Sequence, residues 1–195
     1  MSSELDGYFI VAGNIGVGKT TLINLLKQKG VFAIEEQRED SLAEYYVDRD
    51  SNAFLNQLSY SLQYLEIAIA IKSATGPAVI ERSIYDTHEV FSKMNYQDGL
   101  ISQQEFQQLE RLKGAIVRIR KPKLLVFIDH DEKKCFNRIR ARDVPAEREM
   151  TEGYVARLGK TYRAWFDKFT ECPKLKVQKG NKKTVDFLDL SLIHI

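Results

Sequence analysis

Cysteine is scarce in this chain: its 195 residues include two, Cys135 and Cys172. They stand far apart and outside any Cys-x-x-Cys spacing, which excludes a disulfide framework and a cysteine zinc site. His88, His130 and His194 share no metal-ligand spacing and no arrangement with a nucleophile. No apolar run is long enough to span a bilayer, and the apolar stretch near the N-terminus lacks the positive flank and length of a secretory signal. An excess of one charge is missing too, since 29 Lys and Arg against 27 Asp and Glu leave a formal net charge of +2, too small to announce a polyanionic partner. These absences predict a reducing, cytoplasmic protein with no membrane partner, with a host or organelle address left open.

The remaining composition, 44% hydrophobic and 29% charged, is that of an ordinary globular chain. Its length suits one domain over 1–195, which removes roughly 70% of the unfolded chain's surface from water. Short apolar runs at Tyr8–Ala12, Val31–Ile34, Ala78–Ile80, Leu124–Ile128 and Leu175–Gln178 predict strands, the third and fourth announced by Gly76-Pro77 and Pro122. Leucine and isoleucine recur at helical spacing over Thr20–Lys29 and Asn52–Ala74. The second of these has an almost continuous apolar face through Phe54, Leu55, Leu58, Leu62, Leu65 and Ile69, with Ser51 as the expected cap. Further helices are predicted over Thr87–Lys93, Ser102–Arg120, Glu132–Arg140 and Thr151–Thr170, and the chain beyond is read as a last strand and a helix. Strands alternating with helices predict an α/β fold, a parallel five-stranded sheet flanked by helices.

The segment Gly13-Asn14-Ile15-Gly16-Val17-Gly18-Lys19-Thr20 matches G-x-x-x-x-G-K-[ST] and lies between a predicted strand and a predicted helix, where the mechanism needs it. Consecutive backbone N–H groups wrap the phosphates and the helix N-terminus adds positive dipole. Lys19 reaches the β- and γ-phosphates and Thr20 can hold Mg²⁺. A P-loop NTPase-type fold binding a nucleoside triphosphate with Mg²⁺ is therefore expected, and the phosphoryl acceptor stays open. The base-reading segment of a GTPase is not matched, because Asn181-Lys182-Lys183-Thr184 lacks the aspartate of Asn-Lys-x-Asp. Asp129, after an apolar strand, would suit an ATPase motor, for which the chain is short.

Acids also follow the second and third strands, as Glu35-Glu36 and Glu81-Arg82-Ser83. Those places lie at the carboxyl edge of an α/β sheet, where ligands bind. A carboxylate there can take a proton from an attacking hydroxyl, the one general-base step that phosphoryl transfer asks for. A structural ion pair is the plain alternative for Glu81 and Arg82.

With Phe54-x-x-Gln57 in the long helix and an arginine-rich run at 138–150, these segments resemble the deoxyribonucleoside kinases over about Tyr8–Phe169. That family includes deoxycytidine, deoxyguanosine and mitochondrial thymidine kinases and the insect deoxynucleoside kinase. The resemblance implies transfer of the γ-phosphoryl of ATP to the 5′-hydroxyl of a deoxyribonucleoside, in nucleotide salvage, by a homodimer paired through helices. It makes Glu36 the general base, with Glu35 as second choice. Arg82 then stands beside the 5′ oxygen, Glu81 joins Thr20 at the metal, Gln57 pairs with the base edge, Tyr46 holds the 3′-hydroxyl and Phe91 stacks on the base. An arginine expected two turns after Gln57 and an aspartate expected after Glu-Arg-Ser are replaced by Tyr64 and Thr87. Kinases that prefer thymidine also lack that charged pair, so thymidine or another pyrimidine deoxynucleoside is the expected substrate. Tyr64 is bulkier than the usual replacement, and Asn56 stands where an aromatic or methionine is common.

On composition alone, the run from Arg138 to Met150 reads as a solvated helix end. By the resemblance it is a lid in which Arg138 and Arg142 bind phosphate and Glu147 accepts the 3′-hydroxyl. Val144 stands where a third arginine is usual, so either Arg140 or Arg148 supplies that charge or the lid works with two. The enzyme alternative is a nucleoside monophosphate kinase of thymidylate type, which Arg38 keeps open because a second phosphate would need it. The other alternative is a nucleic-acid-binding P-loop protein, motivated by the basic residues from Arg118 to Arg142. Acids are interspersed along that run, so no nucleic-acid partner is expected.

Overall fold

The expected strands form as β1 (Tyr8–Gly13), β2 (Phe32–Ile34), β3 (Ala78–Glu81), β4 (Pro122–Asp129) and β5 (Lys174–Gln178), all parallel, in the order β2-β3-β1-β4-β5. The structure is a computed structural model and describes residues 7–38, 41–74 and 76–178. The helix expected after Gln178, the string Asn181–Thr184 and His194 lie outside them. Every residue of β1 and β3 is buried, as covering both faces of a parallel sheet requires, which is why these strands read as unbroken apolar runs. β1 and β3 are neighbours with Val11 opposite Glu81. The P-loop and the Glu81-Arg82-Ser83 turn therefore leave the same edge of the sheet side by side.

The helices are α1 (Lys19–Gln28), α2 (Ser41–Val47), α3 (Arg49–Ser73), α4 (Ile84–Asp86), α5 (Lys93–Gln97), α6 (Gln103–Ile116), α7 (Glu132–Arg142) and α8 (Glu152–Lys168). A π-helical turn over Thr87–Ser92 joins α4 to α5, so the helix expected at Thr87–Lys93 is part of a longer helical run. Ser51 is not the cap of α3. The Asp48 carboxylate accepts the Ser51 N–H (3.2 Å), and the helix starts two residues earlier than Ser51 because α2 ends at Val47 and the chain turns at Asp48. Nor is the long apolar face buried throughout, since Phe54, Leu58 and Leu65 pack partly against the core and the other three residues do not. Leu55, Leu62 and Ile69 are 54%, 45% and 54% exposed, whereas the inward side of α3 carries Asn56, Gln57, Ser61, Gln63 and Tyr64. A helix that turns polar groups inward and leucines outward has a polar site beneath it. No helix among the described residues is long and apolar enough to cross a membrane.

Candidate active site

The glycines of the P-loop answer to crowding. Gly13 has φ +146°, and a Cβ there would lie 2.5 Å from the Ile128 carbonyl oxygen; Gly16 has φ +76°, and its Cβ would lie 2.5 Å from that of Cys135. Asn14 ties the loop to α8, its Nδ2 donating to the Val155 carbonyl (2.9 Å) while its Oδ1 accepts the Ile15 N–H (2.8 Å). Gly13, Asn14 and the buried Val17 thus shape the loop from behind, and Ile15, Gly16, Gly18, Lys19 and Thr20 face a cavity of about 630 Å³. The Lys19 Nζ donates to the carbonyls of Gly13 and Asn14 (3.0 Å each). Burial, reinforced by Arg82, brings this ammonium down to about 8.

Beside it, the Thr20 hydroxyl donates toward both oxygens of Glu81 (2.9 and 3.0 Å). A hydroxyl and a carboxylate are hard oxygen donors suited to Mg²⁺, a metal that keeps water and phosphate for the rest of its shell. These residues fit the ion, and among the described residues no cluster of three or more His, Cys, Asp or Glu offers a cage independent of phosphate.

Arg82 has φ +56°, a left-handed conformation costly for a side chain with a Cβ, and its N–H donates to the Val11 carbonyl (2.9 Å). This backbone aims the guanidinium over the Phe91 ring (5.0 Å to the centroid) and onto Glu36 Oε2. The other carboxylate oxygen of Glu36 accepts the Tyr64 hydroxyl at 2.7 Å. Burial raises the Glu36 carboxyl above its ordinary value, and Arg82, Tyr64 and Lys19 oppose that rise. Glu35 turns instead to Lys27 (3.5 Å).

The same cavity is lined by Tyr46, Gln57 and Phe91, as the sequence predicts, together with Asn56, Tyr60, Thr87 and Tyr154. Gln57 is 4% exposed and its side chain meets the Ser92 hydroxyl (3.0 Å). Tyr60 lies one turn beyond Gln57, so helical spacing alone could have found it. Tyr64 does not line the cavity, and its hydroxyl is spent on Glu36.

Within the lid segment Arg138 and Arg142 face the cavity. Arg142 grips the buried Glu147 with two hydrogen bonds (Nε to Oε2 2.8 Å, Nη2 to Oε1 2.6 Å), and Arg138 reaches the carbonyls of Gly16 and Val17 (3.5 Å each). Arg140 lies over the Phe136 ring and donates to the Arg148 carbonyl (2.6 Å), and Arg148 pairs with Asp143 (3.0 Å). Neither lines the cavity, and neither does Val144. Arg38 lies exposed at the mouth. The basic run makes no single face, since Arg120 donates inward to the Ile71 carbonyl while Arg138 and Arg142 turn to the cavity.

A profile of the deoxynucleoside kinase family matches residues 9–189. The deoxyadenosine/deoxycytidine kinase of Bacillus subtilis (strain 168) is 28% identical over 174 residues, covering 86% of this chain and 80% of its own. The thymidine kinase of Ictalurid herpesvirus 1 (strain Auburn) is 22% identical over 187 residues, covering 91% and 82%. Most other curated relatives are named as deoxyadenosine or deoxyguanosine kinases. A solved structure of deoxyadenosine kinase from M. mycoides, with dCMP and a flexible dCDP bound, superimposes with a TM-score of 0.83 at 18% identity, covering 96% of this chain and 100% of that one.

Proposed function

This chain belongs to the deoxynucleoside kinase family of ATP-dependent phosphotransferases, and we propose that it phosphorylates the 5′-hydroxyl of thymidine or another pyrimidine deoxynucleoside. One observation carries the reading. The carboxylate of Glu36, part-buried and held by Arg82, opens on the cavity that also contains Lys19 and Thr20 of the P-loop and the amide of Gln57.

A carboxylate offers about four lone-pair sites. Tyr64 takes one on Oε1 and Arg82 one on Oε2, which leaves the others to accept the proton of the 5′-hydroxyl. In this reading Arg82 and Lys19, with Arg138 and Arg142 from the lid, neutralise the transferred phosphoryl, and Gln57, Tyr46, Phe91 and Glu147 orient the nucleoside, which is supported by their lining one cavity. Thr20 and Glu81 would hold Mg²⁺, which neutralises charge between the β- and γ-phosphates when bound. A monophosphate acceptor would bring a second dianion into the cavity, where the further cation is the exposed Arg38.

The preference for a pyrimidine rests on the base end, where Thr87 lines the cavity and Tyr64 is withdrawn from it, so no arginine–aspartate pair meets the base edge. With thymidine, deoxycytidine, deoxyadenosine and deoxyguanosine offered separately with MgATP, thymidine should give the highest kcat/KM. A purine deoxynucleoside turned over at least as well as both pyrimidines would contradict the preference.

The proposed enzyme is a homodimer, a reading supported by α3, where Leu55, Leu58, Leu62, Leu65 and Ile69 repeat at alternating three- and four-residue spacing, the pattern of a helix-packing seam. The outermost of them, Leu55, Leu62 and Ile69, are exposed. A second copy presenting the same seam would cover them. Sedimentation should give twice the chain mass for the native protein and the single-chain mass for Leu62→Asp.

A further inference from the structure

We propose that Gln63 and Tyr64, consecutive on α3, form a two-point clamp that positions the Glu36 carboxylate for proton transfer, a role that rests on the reading of Glu36 as general base. β2 ends at Ile34, so the segment carrying Glu36 has already left the sheet and has no ladder to fix it. Gln63 supplies the missing ladder. Its Oε1 accepts the Gln37 N–H (3.0 Å) and its Nε2 donates to the Gln37 carbonyl (3.0 Å), so one amide pairs with the main chain as a neighbouring strand would. The next residue holds the side chain, because the Tyr64 hydroxyl donates to Glu36 Oε1 at 2.7 Å. The same hydroxyl lies 3.2 Å from the Glu81 carbonyl. A phenol has one proton, and the shorter bond to a charged acceptor takes it.

The geometry divides the work. Gln63 fixes where the backbone at 37 lies, Tyr64 fixes the torsion of the carboxylate, and Arg82 meets the opposite oxygen, so the plane of the carboxylate is defined from both edges. Gln63 and Tyr64 are 8% and 2% exposed and line no part of the cavity. Neither touches substrate, which makes them positioning residues. A tyrosine held only by core packing would need no hydroxyl at this place; here the hydroxyl ends on the Glu36 carboxylate, which lines the cavity together with the P-loop.

Tyr64→Phe keeps the ring and removes the clamp. The expected result is a kcat lowered about ten- to a hundred-fold, the loss that goes with a hydrogen bond to a charged group, with KM for thymidine within about two-fold of native. The groups facing Glu36 are Lys19 of α1, Glu81 and Arg82 at the end of β3, and Tyr64, with Asp86 and Tyr162 behind Arg82. Tyr64 alone is changed, and it favours the ionised carboxylate, so the acid limb of the kcat profile moves to higher pH. Were Tyr64 only filling space, Tyr64→Phe would leave both kcat and that limb as in the native protein. Gln63→Met, which removes the amide at near-constant volume, should lower kcat with the limb unmoved, and it carries the test independently of the ring. Native kcat and native acid limb in both variants, while Glu36→Gln is crippled, would overturn the clamp and leave the general base standing. Near-native activity in Glu36→Gln would overturn both.

Discussion

Arg138→Ala and Arg142→Ala are each expected to lower kcat by about 10³-fold or more, because a guanidinium closing on a transferring phosphoryl is worth that much in related chemistry. The reason lies in the phase of α7. Arg138 and Arg142 are four residues apart and share one face, which looks into the cavity. Arg140 stands on the opposite side against Phe136, and Arg148 is committed to Asp143 outside the site. Steady-state kinetics on Arg140→Ala and Arg148→Ala should give kcat within about two-fold of native, the behaviour of surface pairs that contribute little. The two cavity arginines differ in a second measurement. Removing Arg142 leaves Glu147, 6% exposed, without its double hydrogen bond, so Arg142→Ala should lose about 1–3 kcal/mol of stability. Arg138 makes long contacts to two carbonyls, and its replacement should leave the melting temperature near native.

Glu36→Gln is expected to lower kcat by about 10²- to 10⁴-fold, the range for loss of a general base, while nucleoside affinity changes little. The substitution preserves the fold. The amide can turn its oxygen to Arg82 and its NH₂ to Tyr64, whose hydroxyl then accepts, so no buried group is left unpaired. Glu35→Gln, which touches Lys27 rather than Arg82, should keep kcat within a few-fold. The native profile carries the same information. Burial raises the Glu36 carboxyl, activity needs it ionised, and kcat/KM should therefore fall with decreasing pH at a value above that of an exposed glutamate.

What the sequence made legible was local. Strands buried on both faces are unbroken apolar runs, and the P-loop is a contiguous pattern whose strand and helix flank it within a few residues. The lid arginines and the acids at strand ends were legible as types in a register. Orientation was not, since it depends on partners far along the chain. Along α3, apolar residues occupy more than one face, so periodicity could not tell that Leu55 and Leu62 face outward and Asn56, Gln57 and Gln63 inward. Asp48 and Ser51 are both competent caps, and the start of the helix was decided by the end of α2. The resemblance ties Tyr64 to the base end, as the residue in the place of an expected arginine; its bond to Glu36 spans 28 positions, and no local pattern encodes it.

The central claim is that the acceptor is a neutral nucleoside hydroxyl activated by Glu36, and it is tested most directly by offering thymidine and thymidylate in parallel with MgATP and identifying the product by phosphorus NMR. The account predicts that thymidine is converted to its 5′-monophosphate, that thymidylate is untouched on the same timescale, and that Glu36→Gln abolishes the first conversion. Consumption of thymidylate with no phosphorylation of any deoxynucleoside would contradict it.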